Sequence, residues 1–396
     1  MFCSLRSAIL FASVSAAAVS AFAETWYWSP TVKSGSNYPW QNAANWLNSA
    51  NQRNVGYPAA GDTAVLGDTA SSSGTGTHTP DSNRALYEIR IGPGKAVGMN
   101  QGDYTLAAGG RGLQYLANST LTGNWGGMRF AGDGDVPINV SNNVTFAMQM
   151  RMWVNSGSPR IVKQGKGEFV CYNQNAANWN VPEVRVQQGA IDCSMDSGTI
   201  SNCRFMFDGN DSSQRFTMGY SNHKGLNLNN CGLYETNGVA NTDHGFDDRG
   251  KGYQVSFTGT QKLNPTVFTG KFYQKAGLKW NPSSADSVFI YSNGVSAAAG
   301  VVTVAKGTVK LANGASFTNL AELQVSAGAV FEIVDAPSES FYAALLTLGG
   351  ATAKIKVPAD VNSPASPEPA SSRSFRTAPR LSSGREPKGP SRSAAS

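Results

Sequence analysis

Histidine is nearly absent from this chain: His78, His223 and His244 are the only three in 396 residues. None stands at a spacing that would set up a zinc site or a nucleophile–base–acid triad. Charge is also scarce, at 15% Asp, Glu, Lys and Arg, which is little for helices laced with surface ion pairs. After residue 23 no stretch approaches the ~18–20 apolar residues that a membrane-spanning helix needs, so no transmembrane span is expected. No Gly-x-Ser-x-Gly elbow occurs, and the glycines of the polar stretch 69–83 neither follow a strand nor open a helix. A Ser-based hydrolase and a phosphate loop are thereby excluded, and no cofactor pattern is present. Cysteine is sparse too. Of five, Cys3 lies in the leader, and Cys171, Cys193, Cys203 and Cys231 remain at separations unlike zinc spacings.

The leader is Arg6, an apolar and small-residue run from Ala8 to Phe22, and Ala21-Phe22-Ala23 before Glu24. This is the pattern of an export signal cleaved after Ala23, which makes the mature protein secreted or held at the cell surface. The formal charge is +6, but residues 358–396 carry six Lys and Arg against three Asp and Glu. With so much of the excess in that segment and no basic helix or stripe elsewhere, no nucleic-acid partner is expected. The same segment holds ten Ser and seven Pro among 39 residues, a composition that builds no core and predicts disorder.

What is abundant is glycine, 43 residues, with short runs that alternate at period two, such as Ala85-Leu86-Tyr87-Glu88-Ile89-Arg90-Ile91 and Val301-Val302-Thr303-Val304. The pattern repeats. Val162-Lys163-Gln164-Gly165-Lys166-Gly167-Glu168-Phe169-Val170 is followed by Val184-Arg185-Val186-Gln187-Gln188-Gly189-Ala190-Ile191, and the stretch Val302–Leu311 is followed by Leu323–Phe331. Gly167 to Gly189 is 22 residues and Gly307 to Gly328 is 21. Short strands bent at glycine and recurring at that interval predict the coils of an all-β parallel solenoid.

Boundaries follow from composition: leader 1–23, Trp-rich cap and polar loop 24–83, β-helix 84–336, final strands 337–357, and the basic Ser/Pro-rich tail 358–396. Trp26, Trp28, Trp40 and Trp46 are half of the chain's eight tryptophans. They suit a cap that closes the open solenoid end, the favoured reading, or else a platform on which sugar rings stack. The four mature cysteines read equally as disulfides of an exported protein or as buried thiols. Cys171 and Cys193 stand one repeat apart, where stacked coils would bring their Cα atoms to ~4.8 Å.

Lys163-Gln164-Gly165-Lys166-Gly167 with Val184–Ile191 resembles the autotransporter-associated β-strand repeat, and the copy from Gly307 to Ile333 is a looser version. Trp26, Trp40, Asn45-Trp46, Pro58 and Gly61-Asp62 are similar to the opening of bacterial surface proteins that carry such repeats. The resemblance implies a right-handed parallel β-helix, export, and a surface or passenger-like role. It covers about a fifth of the chain, and the run of amphipathic strands that would form an outer-membrane barrel is not seen.

One stretch crowds chemistry together. Asn241-Thr242-Asp243-His244-Gly245-Phe246-Asp247-Asp248-Arg249-Gly250-Lys251 offers Asp243, Asp247 and Asp248 beside a histidine and two cations. A pair of carboxyls could serve glycoside hydrolysis, but Asn, Asp and Gly are also turn formers, and a solvated turn is the favoured reading. Asp208-Gly209-Asn210-Asp211-Ser212 and Asp133-Gly134-Asp135 lack the pattern of a calcium loop, so no metal is expected. The sequence therefore points to an exported structural or adhesive module without catalytic activity, meeting surface glycans or other cell-surface proteins. The alternative is a polysaccharide-binding or polysaccharide-degrading β-helix acting through the Asp243–Arg249 loop.

Overall fold

The computed structural model describes residues 23–357 apart from a set of stretches, the longest being 69–75, 172–178, 194–198, 210–213, 220–224, 237–242, 265–270, 293–299 and 335–340. The expected leader and the basic tail lie outside the described residues. Contacts divide the chain into Met1–Pro358 and Ala359–Ser396, and only the first unit is described below.

The chain is a parallel β-solenoid. Strands Glu88–Ile91, Ala96–Met99 and Gly102–Ala107 make one coil, and Gly112–Tyr115, Thr120–Gly123 and Gly126–Ala131 lie on them strand for strand. The first face continues as an 11-stranded sheet, parallel except at its first edge. From Gly277 onward, among the described residues, Gly277–Pro282, Val301–Val304, Phe317–Val325 and Phe341–Leu348 stack on one face, and Val288–Ser292, Thr308–Ala312, Val330–Ile333 and Lys354–Lys356 on another.

Alternation decides which side chains enter. Val136, Ile161, Val184, Phe205 and Leu233 occupy one register row on successive coils, and all are buried. Each such side chain contributes about 1.5–3 kcal/mol by leaving water. Aromatics continue the stack, as where Phe146 and Phe169 lie parallel with centroids 5.8 Å apart. Corners need backbone that bends sharply, and Asn143, Asn202 and Asn230 supply it in the left-handed region alongside several glycines.

Coil length is not constant. Leu113 to Ile138 is 25 residues, Val184 to Phe205 is 21, and Leu233 to Leu263 is 30. Gly167 and Gly189 do stack as the repeat predicts, since Glu168 pairs with Ala190. Gly307 instead sits across from Ala329, because Thr308 pairs with Val330, so the second copy is offset by one residue from the glycine alignment.

The described residues of 24–83 supply the first strands of the stack. Thr25–Trp28 runs parallel to Thr63–Leu66, which pairs with Glu88–Ile91, and Trp46–Leu47 closes the outer edge antiparallel. Thr77–Thr79, within the stretch expected to be a polar loop, is a strand between Tyr38–Pro39 and Ala96–Met99. The cause is tertiary: His78 is buried against Trp28, Trp40 and Tyr104. Among the described residues no helix is long and apolar enough to cross a membrane.

Candidate functional site

Within the crowded stretch, Asp243–Asp247 is a strand and a turn follows it. Asp243–Asp247 pairs with Gln214–Thr217 on one side and Lys271–Gln274 on the other. Phe246 draws it into the rod, packing 5.9 Å from Phe216 and 6.0 Å from Phe257. Apolar burial of a ring outweighs the turn preference of Asn, Asp and Gly. Alternation then turns His244 inward and leaves Asp247 partly exposed. Asp248 is buried in the turn that follows, where its Oδ2 accepts the Tyr253 N–H at 2.9 Å. Asp243 opens the strand opposite Lys271, and its side chain lies outside the described residues.

Register assembles a site that linear spacing did not show. Asp192, Thr217 and Asp247 share one row on three successive coils. Glu168, one coil earlier, accepts from Thr217 Oγ1 at 2.9 Å and is bonded to Arg249 Nη2. The same guanidinium lies 3.6 Å from Asp192 Oδ2, and the Arg249 backbone N–H donates to Asp247 Oδ1 at 2.8 Å. Burial alone would lower the Arg249 pKa; the hydrogen bond and charge of Glu168, with Asp192 and Asp247, outweigh it and the net shift is upward.

Gly167, Gly189 and Ala190 floor a groove of about 330 Å³ beside these groups, with Arg215 on its wall. The floor must be small. A Cβ on Gly189 would come 2.4 Å from the Gly167 carbonyl oxygen, and its φ of +68° is left-handed. Glu168, Asp192, Arg215 and Thr217 were not foreseen as site residues. Glu168 was visible inside the repeat, but Asp192 and Thr217 join it only through the stacking.

A second groove, of about 460 Å³, lies on the first face along Asn139, Gln164, Gln187 and Asp208. These residues line up over six coils: Gln114, Asn139 and Gln164 are paired in the sheet, and Gln187, Asp208 and Thr236 each directly follow the last paired residue of their strand. Hydrogen bonds tie neighbours: Asn139 Nδ2 to Gln114 Oε1 at 2.9 Å, Gln164 Nε2 to Gln187 Oε1 at 3.1 Å, and Thr236 Oγ1 to Asp208 Oδ1 at 2.8 Å. A parallel row alternates in sign, Asp135, Arg160, Glu183 and Arg204, with Arg160 Nε 2.7 Å from Asp135 and Arg204 Nη1 3.3 Å from Glu183. The glycine alignment would set Gln164 over Val186, whereas it stands over Gln187. That single residue hid the ladder from the sequence.

Beneath the ladder Lys163 points inward from a row otherwise filled by Ile138 and Val186. Its Nζ donates to the carbonyls of Gln164, Gly165 and Gln188 at 2.7, 2.7 and 3.1 Å. Burial pushes its pKa down to about 7, and the charge of Glu168 opposes the shift.

The tryptophans offer no platform. Trp26, Trp28, Trp40 and Trp46 are all buried, and Trp40 and Trp46 meet edge to face with centroids 4.5 Å apart. Trp46 Nε1 donates to the Trp40 carbonyl at 2.7 Å, and Trp26 Nε1 to Asp62 Oδ2 at 3.0 Å. Cys193, Cys203 and Cys231 are buried as well. Cys171 ends the Glu168–Cys171 strand one coil from Cys193, since Val170 pairs with Asp192; its side chain lies outside the described residues.

In the Asp133-Gly134-Asp135 element both carboxylates meet protein groups. Asp133 Oδ1 accepts the Ser158 N–H at 2.8 Å, Asp135 is paired with Arg160, and Asp211 and Ser212 lie outside the described residues. Among the described residues no group of three or more His, Cys, Asp or Glu could hold a metal ion. No family model, no curated protein and no solved structure matches this chain.

Proposed function

We propose that the chain is an exported structural or adhesive module at a bacterial surface, and that the first face of its rod meets glycans without cleaving them. The observation carrying this reading is the six-coil polar row from Gln114 to Thr236. Side-chain amides each supply donors and an acceptor, and coils ~4.8 Å apart repeat that chemistry along one line. An extended polymer rich in hydroxyls suits such a line better than a compact ligand does. On the other groove, Arg249 bridges Glu168 and Asp192 while its own N–H takes Asp247. Carboxyls so engaged are poorly placed to act as a free acid and base.

Export rests on the Arg6 to Ala23 pattern. A polysaccharide-degrading reading keeps one supporting observation, the groove that brings Glu168, Asp247 and Arg249 together. The full chain is incubated with immobilised neutral and acidic polysaccharides, and binding and released sugar are both measured. Retention without release is expected, with Gln164→Leu and Gln187→Leu together weakening retention at least tenfold. The Asp243→Asn, Asp247→Asn, Asp248→Asn triple variant should bind as the wild type does. Release of oligosaccharide by the wild type that vanishes in the triple variant or in Asp192→Asn would sink the non-catalytic reading.

A further inference from the structure

The corner Ser201-Asn202-Cys203-Arg204 stacks residue upon residue on Asn229-Asn230-Cys231-Gly232. Ser201 pairs with Asn229 on one face and Arg204 with Gly232 on the next, so the 28-residue step is unbroken through the bend. Both corner asparagines are left-handed, Asn202 at φ 59° and Asn230 at φ 53°. Backbone bonds hold the two corners together: Asn202 N–H to Asn229 O at 3.1 Å and Gly232 N–H to Cys203 O at 3.0 Å. The two cysteines are therefore direct neighbours on adjacent coils, with a Cα separation of ~4.8 Å that lies inside the range of a disulfide. Both follow a left-handed residue and lie outside the strands, so their side chains are not locked into the ladder's parallel projection.

The thiols make weak contacts as they stand, and Cys203 also lies beside Trp179 and Cys193. Cys231 Sγ reaches the carbonyls of Ile200 at 3.4 Å and Asn229 at 3.5 Å, and Cys203 Sγ lies 3.7 Å from the Arg204 carbonyl. A thiol is a weak donor. The Ile200 contact directs the Cys231 sulfur toward the coil that carries Cys203.

We propose that Cys203 and Cys231 join in a disulfide that staples two neighbouring coils at this corner. A thiolate of one cysteine attacks a carrier disulfide, oxidised glutathione or a thiol–disulfide exchange protein, and releases one carrier thiol. The second cysteine's thiolate then attacks the mixed disulfide and releases the other. Two protons leave the cysteines and two electrons end in the reduced carrier, so the step balances. Burial raises the Cys203 pKa and moves that of Cys231 up to about 11, and both side chains are enclosed once the coils have stacked. The bond accordingly forms during folding.

The export reading supplies only the compartment, and the test is independent of it. Reduced, denatured full-length chain is refolded with oxidised and reduced glutathione, quenched with iodoacetamide, and cleaved after methionine and then with trypsin. Cleavage at Met195 separates Cys193 from Cys203, and Met206 and Met218 separate Cys203 from Cys231. The expected product is the Cys203 peptide linked to the Cys231 peptide. Alkyl label on both, or either one linked to Cys193 or Cys171, would overturn the proposal. A reductant should then lower the guanidinium midpoint of the wild type and leave that of Cys203→Ala/Cys231→Ala unmoved. An equal shift in both proteins would count against the staple.

Discussion

His244 Nε2 lies 2.8 Å from Glu235 Oε1 inside the coil stack, with side chains 0% and 2% exposed. Glu235 takes the place that Val186 and Phe207 hold on the two coils before it, in the row that also carries Lys163. The Phe207 ring packs 4.8 Å from the imidazole and walls it from water. Removing one member of such a pair strands the other. Glu235→Ala should lower unfolding free energy by about 1–3 kcal/mol, whereas Glu235→Leu with His244→Phe should lose less. Guanidinium titrations of the three proteins decide this, and equal losses would show that the contact itself is unimportant.

His78 makes the first coils acid-sensitive. Its Nε2 is 2.5 Å from the Tyr104 hydroxyl, and burial pushes its pKa down to about 3 despite a backbone bond with Gly98 that raises it. Unfolded chains bind a proton there near pH 6.5 and the folded protein does not. Stability is therefore complete above pH 6.5 and falls by about 1.4 kcal/mol per unit of pH as acid is added toward pH 3. His78→Gln should remove that component from the pH dependence of unfolding, monitored by tryptophan fluorescence. A slope identical to the wild type would refute the assignment.

Lys163 acts in the opposite part of the pH scale. With its folded pKa about 7 and an unfolded value near 10.4, the unfolded chain holds the extra proton between those limits. The Lys163 penalty is thus complete below pH 7 and fades as pH rises toward 10. Lys163→Met removes the titrating group and keeps the length of the side chain. Its stability relative to the wild type should decline steadily from pH 7 to pH 10; a constant difference would mean that the three carbonyls hold the ammonium charged throughout.

Gly189 tests the stacking beneath the Arg249 groove. A Cβ there meets the Gly167 carbonyl at 2.4 Å and sits on a left-handed backbone. Gly189→Ala should cost about 2–4 kcal/mol. Gly134→Ala, also left-handed but with nothing within 4 Å of a Cβ, should cost only the backbone share of that loss. Comparing the two melting curves separates collision from strain.

The alternation of Ala85–Ile91 and the 22-residue step between Gly167 and Gly189 were legible because both are local patterns, read within a coil or between two like coils. The ladder from Gln114 to Thr236 was not, since its steps of 21 to 28 residues follow no constant period. Asp243–Asp247 was misread for a related reason. Its residue types favour a turn, and only the neighbouring coils reveal that Phe246 has a core to enter.

By itself the sequence determined that this chain is built of short strands, that glycine and asparagine bend it, and that successive segments bury their apolar sides on one another. Those properties belong to single residues and their near neighbours. Only the tertiary structure decided which residues meet: Glu168 with Arg249, 81 positions away, Gln164 over Gln187, Cys203 over Cys231, Glu235 against His244. A parallel coil stack joins positions by coil length, and coil length is set by how many residues each bend absorbs.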